Sequence, residues 1–108
     1  LGLWTQSIQA MIDAGPTSLW MTHFDRLTDP VEHLHRVRED LVEETRQVCA
    51  LLEEDESTAL DRYRRWHHEH AVSRGVDARL LERHCTETHY ATNLTGVARW
   101  LRQGGTVR

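Results

Sequence analysis

The 108-residue sequence lacks lysine altogether and contains only two prolines, six glycines and two cysteines. It has no apolar run near the roughly 20 residues that a membrane-spanning helix needs, so no membrane partner is predicted. Its first residues show no basic segment followed by an apolar stretch, so no signal peptide is predicted either. Cys49 and Cys85 lie at no metal-like spacing. This indicates reduced, buried thiols in a cytoplasmic protein.

All 13 basic residues are arginines, which we interpret mainly as the codon bias of a GC-rich bacterial genome. They are scattered along the chain, and the net charge with neutral histidines is −4. A segment with this charge is not expected to contact nucleic acid directly. The sequence begins at Leu1 rather than methionine, so we expect a piece of a longer protein, in which a DNA-binding segment could precede it.

The scarcity of proline and glycine, together with the absence of β-branched runs, predicts an all-α fold of five to six helices. The length predicts a single domain over residues 1–108. Two short helices are expected within residues 1–29, the first ending before Gly15. The second is expected to start at Thr17–Ser18 and to carry Leu19, Trp20, His23, Phe24 and Leu27.

A long helix is predicted over residues 30–53, because Asp29 can cap it and Pro30 suits its first position. Its apolar residues recur at three- and four-residue steps from Val31 to Leu52. Such a stripe is typical of the central helix of a small bundle, but it is also compatible with a coiled-coil seam between two chains. A homodimeric interaction domain that uses this stripe is therefore an open alternative.

Further helices are predicted over residues 57–104, after a solvated acidic loop at Glu53–Glu56. Ser57 or Thr58 is expected to cap the first of them, and Gly75 to end it. Asp77 is expected to cap a helix over Leu80–Thr88. The pattern is then interrupted at Tyr90 and Asn93–Leu94, and a short helix runs from Gly96 to Arg102 before Gly104–Gly105.

An aromatic residue, a break at Asn, and a Gly-started helix ending in aromatic-Leu-Arg make up the segment from Tyr90 to Arg102. This segment resembles the C-terminal end of the TipAS-type, thiostrepton-binding antibiotic-recognition domain of some MerR-family transcriptional regulators. The resemblance extends over roughly Glu39 to Arg102. It implies a globin-like helical array around an apolar cleft, acting as a drug sensor, a sequestering resistance protein, or the effector domain of a regulator.

Covalent capture is not implied for this chain. Some members of the resembled family trap thiopeptide antibiotics through a cysteine, and the matching position here falls near Val72. Neither Cys49 nor Cys85 matches it. We therefore expect reversible binding.

Eight histidines raise the question of a metal site. His67 and His70 lie one helical turn apart, but one helix supplies two ligands, whereas a zinc site needs three or four. The His-Glu-x-x-His pattern is absent. No metal, haem or other cofactor is predicted, and a histidine-ligated metal or haem sensor stays an alternative. No motif activates either thiol and no glycine-rich phosphate loop is present, so we predict no catalytic residue and no enzyme.

The four tryptophans are many for so small a domain. Large flat side chains with a polar edge suit a pocket for an aromatic ligand, although they can equally fill a core. We predict reversible binding of an apolar, aromatic-rich small molecule such as a peptide antibiotic. The expected binding residues flank the family-like segments or lie opposite them: Trp20, Phe24, Tyr63, Trp66, His70, Tyr90, Asn93 and Trp100.

Overall fold

The computed structural model of the chain describes residues 2–20 and 26–106, without the side chains of residues 20, 26 and 27. Within these ranges the fold class is all-α, as predicted, and a globin-like arrangement stays a prediction. The five helices are α1 (Gly2–Asp13), α2 (Pro30–Ala50), α3 (Glu56–Ser73), α4 (Ala78–His84) and α5 (Glu87–Arg102). In this part of the chain, no helix combines the length and the apolar character that crossing a membrane requires.

The predicted second short helix is wrong. After α1, Gly15 takes a positive φ of 61°, and the chain then forms two short antiparallel strands, β1 (Leu19–Trp20) and β2 (Arg26–Leu27). Leu19 pairs with Leu27 and Trp20 with Arg26. A short apolar segment fits a helix and a strand almost equally well, and here pairing between two segments decided the outcome. His23 and Phe24 lie outside the described residues.

Helix α2 begins at Pro30, as predicted, and ends at Ala50, just short of the predicted end. The Asp29 carbonyl accepts a hydrogen bond from the backbone N–H of His33 at 3.2 Å, which closes the first turn. Three positions of the α2 stripe, Leu34, Thr45 and Val48, are buried within the chain, and others such as Val31 and Leu41 are half-buried. A homodimer that uses this stripe stays a prediction.

The acidic run before α3 is more than a solvated loop. Its third residue, Asp55, is the N-cap of α3, whereas Ser57 or Thr58 was the expected cap. The Asp55 carboxylate accepts from the Thr58 hydroxyl at 2.6 Å and from the Thr58 backbone N–H at 2.9 Å. These two hydrogen bonds hold the pKa of Asp55 below its ordinary value of 3.8, and the bond from the Thr58 hydroxyl has the larger effect. The helix then ends at Ser73, and Gly75 follows with a φ of 92°, as its predicted role as a stop requires.

The predicted break at Tyr90–Leu94 is also wrong, since α5 runs without interruption from Glu87 to Arg102. Asp77 caps α4 as expected, but α4 ends at His84. Cys85 and Thr86 separate it from α5. Thr86 begins α5 with a capping box, in which its hydroxyl accepts from the His89 N–H and the His89 Nδ1 accepts from the Thr86 N–H. Gly96 therefore lies inside a helix rather than at the start of one.

The chain divides into two compact units, whereas its length predicts a single domain. The first unit is Leu1–Glu44 with Thr106–Arg108, and the second is Thr45–Gly105. In the first unit, Ile8 and Leu34 are buried. The core of the second unit joins the end of α2 to α3 and α5 through six buried residues: Val48, Ala59, Tyr63, Tyr90, Leu94 and Ala98.

Candidate functional site

The second unit brings together four of the eight predicted binding residues. Tyr63, Trp66 and His70 lie three and four residues apart on α3, so they share one face of the helix, and Tyr90 of α5 contacts Tyr63. The Trp66 and His70 rings stack with centroids 5.0 Å apart and planes inclined by 18°. The Tyr63 and Tyr90 rings meet edge to face at 6.0 Å. With His67, these residues form what we call the aromatic cluster.

The two tyrosines of the aromatic cluster are buried. Tyr63 is completely buried, and Tyr90 is 5% exposed. The Tyr90 hydroxyl lies 3.2 Å from Nδ1 of His67, within hydrogen-bonding distance. Burial of the ring raises the pKa of Tyr90 above its ordinary value of 10.0, and the neighbouring Cys85 raises it further, whereas Arg64 lowers it. Tyr63 and Tyr90 are thus core residues in this structure, and their role as a ligand wall stays a prediction.

A cleft of about 470 Å³ lies beside the aromatic cluster. Its wall includes Arg64 and Arg65, and both guanidinium groups pair with Asp61, at 3.3 and 3.1 Å. His68, Glu69 and Glu82 also line it, together with Leu81, Cys85 and the predicted binding residue Tyr90. Charged and apolar side chains share this lining, so the cleft suits a purely apolar molecule less well than a uniformly apolar site would.

The other predicted binding residues are not part of the cluster. Asn93 is exposed on α5. Trp100 is half-buried at the C-terminal end of α5, where its carbonyl accepts from the Gly105 N–H at 3.1 Å. Gly104 takes a φ of 99° there, and a Cβ atom on Gly105 would overlap the Trp100 ring. The backbone of Trp20 lies in β1 but its side chain is not described, and Phe24 lies outside the described residues.

An apolar groove in the first unit was not predicted. It encloses about 550 Å³, within the range of small-molecule sites. We call it the α1 groove. Its lining residues come from α1, β1 and α2 and are almost all apolar: Leu3, Trp4, Ser7, Ile8, Met11, Leu19, His33, Leu34 and Val37.

The α1 groove has a buried floor and an exposed rim. Ile8 and Leu34 are 5% exposed, whereas Leu3 is 78% and Trp4 is 68% exposed. Two polar side chains complete the lining. One is Ser7, whose hydroxyl donates to the Leu3 carbonyl at 2.9 Å. The other is His33, which is the ionisable residue among the described side chains of the lining.

A polar contact joins α1 to α2 beside the groove. The Arg38 guanidinium donates a hydrogen bond to Oε1 of Gln9. Nε2 of the same Gln9 side chain donates to the Asp13 carboxylate on α1 at 2.8 Å. The bond to Asp13 therefore orients the Gln9 amide on α1, and its other end contacts α2.

Sequence reasoning had one signal for this groove. Trp4, Ile8 and Met11 recur at helical spacing, which predicts the apolar face of a short helix. Their periodicity shows that they share a face. It does not show that α2 covers only part of that face.

Neither cysteine nor histidine forms a metal centre in the described residues, where no group of three or more potential ligands could hold an ion. Both thiols are free. Cys85 is half-buried, but Cys49 is exposed, so the prediction that both are buried is wrong for Cys49. The helix position of Cys49 was predicted correctly, but it faces away from the buried Val48 beside it.

No family model, curated protein or solved structure matches the chain.

Proposed function

We propose that this chain is a non-catalytic binding domain for apolar, aromatic small molecules, and that the α1 groove is its binding site. The observation that carries the proposal is the exposure of Leu3 and Trp4 at the rim of an apolar volume of about 550 Å³. Leaving large apolar side chains in water is unfavourable, and covering one fully contributes about 1.5–3 kcal/mol. A ligand in the groove would supply that cover.

The lining also favours aromatic ligands. The Trp4 indole is a flat surface at the mouth of the groove, and offset or edge-to-face contacts between rings add to the energy of burial. Neither Cys49 nor Cys85 lines the groove, so binding there is reversible.

The wider role that we propose is a drug sensor or sequestering protein, and the effector domain of a transcriptional regulator. Its support is the residue pattern from Tyr90 to Arg102, which resembles the TipAS-type domain. That support rests on residue types alone, since α5 is continuous where the pattern was expected to break. A peptide antibiotic is the ligand that the resemblance suggests, and an aromatic surface at Trp4 is compatible with it.

The test is a titration with a panel of thiopeptides and smaller polycyclic aromatic compounds, in which calorimetry and tryptophan fluorescence measure binding. Leu3→Ala should weaken binding by about 1–3 kcal/mol, because the side chain lines the groove. Leu80→Ala is the matched control, since Leu80 is also an exposed leucine on a helix but lies outside the groove. Equal losses for the two variants, or no binding by any compound, would contradict the proposal.

A further inference from the structure

The described polar side chains of the α1 groove suit an anionic group better than a cationic one. Among the lining side chains that the structure describes there is no carboxylate, and the ionisable one is His33. Moving an ammonium group from water into an apolar site without a carboxylate is costly. An anionic group instead meets an imidazole that can donate an N–H in either tautomer and from both nitrogens when protonated.

The position of His33 suits contact with a bound molecule. His33 and Val37 lie one turn apart on α2, and both line the groove beside the buried Leu34. The imidazole is half-buried and lines the groove, so part of its edge is accessible to a bound molecule. A ligand with an apolar ring system and one polar end can fill the floor and reach this edge.

The charged side chains around the groove do not reverse this preference. Glu32 and Arg36 pair with each other at 3.1 Å on the exposed side of α2. Arg38 and Asp13 both bond to Gln9, one at each end of its amide. None of these four residues belongs to the groove lining. His33 is therefore the ionisable group that a ligand meets among the described residues.

We propose that the α1 groove selects aromatic ligands that carry a carboxylate, which His33 binds, over ligands that carry an ammonium group. The inference rests on the proposed function and names the ligand class of the same site. A charge-assisted hydrogen bond between imidazole and carboxylate supplies the selectivity, and the apolar floor supplies most of the affinity.

The experiment compares three probes that share a naphthyl group: 1-naphthaleneacetate, 1-naphthaleneacetamide and 2-(1-naphthyl)ethylamine. Isothermal titration at neutral pH should give the acetate about tenfold or more higher affinity than the amine, with the amide between them. His33→Gln should reduce the preference for the acetate to less than about threefold, because the variant keeps a polar side chain but cannot become cationic. His35→Gln is the matched control. His35 is half-buried on the same helix two residues later, so it points to another side and does not line the groove.

Each outcome decides between the two proposals. Equal affinity of the three probes for the unaltered chain overturns the role of His33 and leaves the groove as an apolar site. Failure of all three to bind overturns the proposed function with it. If His33→Gln does not fold, ¹⁵N resonances of the His33 ring in the unaltered chain serve instead. They should shift with the acetate and not with the amine, and unchanged resonances at saturating acetate overturn the inference.

Discussion

The aromatic cluster and the α1 groove use similar residues in opposite ways. Both contain a tryptophan and a histidine on helix faces. In the cluster, Trp66 stacks on His70 and Tyr63 is completely buried, so the rings pack against one another. In the groove, Trp4 stays 68% exposed at the rim of an apolar volume. In this chain, closely packed aromatic side chains stabilise a core. Apolar side chains that stay exposed around a groove mark the candidate binding site.

The largest expected effect tests whether the cluster is a core. Tyr63→Ala should lower the free energy of unfolding by about 3–5 kcal/mol, as for other large aromatic truncations in cores, because the ring is fully buried. Urea denaturation followed by far-UV circular dichroism measures the loss. Tyr63→Phe is the control, since it keeps the ring and should lose much less. A loss below about 1 kcal/mol for Tyr63→Ala would mean that the cluster is as open as the groove.

A smaller effect tests the polar part of the cluster. Tyr90→Phe removes the hydroxyl beside His67 and should cost about 1 kcal/mol near neutral pH. The pKa of Tyr90 is raised above 10.0 in the folded chain. Its stabilising contribution is therefore complete below pH 10 and is lost as the pH rises through the raised pKa. The difference between the unaltered chain and the variant should shrink above pH 10.

Denaturation curves of both chains from pH 7 to 11 measure this effect, and the phenolate absorbance near 295 nm follows the titration itself. Tyr90→Phe keeps the ring packing against Tyr63, so the core packing is matched between the two chains. A difference that grows with pH would show that the folded chain favours the phenolate, contrary to the burial of Tyr90.

The smallest expected effect comes from the groove. Trp4→Ala should change the free energy of unfolding by less than about 0.5 kcal/mol, because the side chain is mostly in solvent without ligand. The same denaturation assay measures it. A loss as large as that of Tyr63→Ala would show that Trp4 is a core residue and would end the contrast between the two regions.

The fold class and several helix boundaries were predictable because their signals are local. Asp29–Pro30 begins α2, Asp77 caps α4 and Gly75 follows the end of α3, and each depends only on neighbouring residues. The pairing of β1 with β2 was not predictable in this way, since it depends on a partner segment. The start of α5 was missed for another reason: its capping box has His89 where a glutamate or glutamine is usual.

The candidate site was predicted less well than the fold. Helical spacing correctly predicted that Tyr63, Trp66 and His70 share a face. Spacing cannot tell whether that face meets another helix or a ligand, and here Tyr90 of α5 packs on its Tyr63 while Trp66 and His70 stay half-buried. The α1 groove was missed because it combines residues from α1, β1 and α2 that are up to 34 positions apart in sequence, from Leu3 to Val37.

The C-terminal turn of α5 couples two positions in a way that bears on how the protein varies. Gly104 and Gly105 donate to the carbonyls of Leu101 and Trp100, so the turn has the hydrogen bonds of a Schellman motif. Gly104 is constrained by its positive φ, but Gly105 is constrained only by the indole of Trp100. Homologous chains should therefore co-vary at positions 100 and 105. Chains that keep tryptophan at position 100 should keep glycine at position 105. Chains with a small residue at position 100 can carry any side chain at position 105.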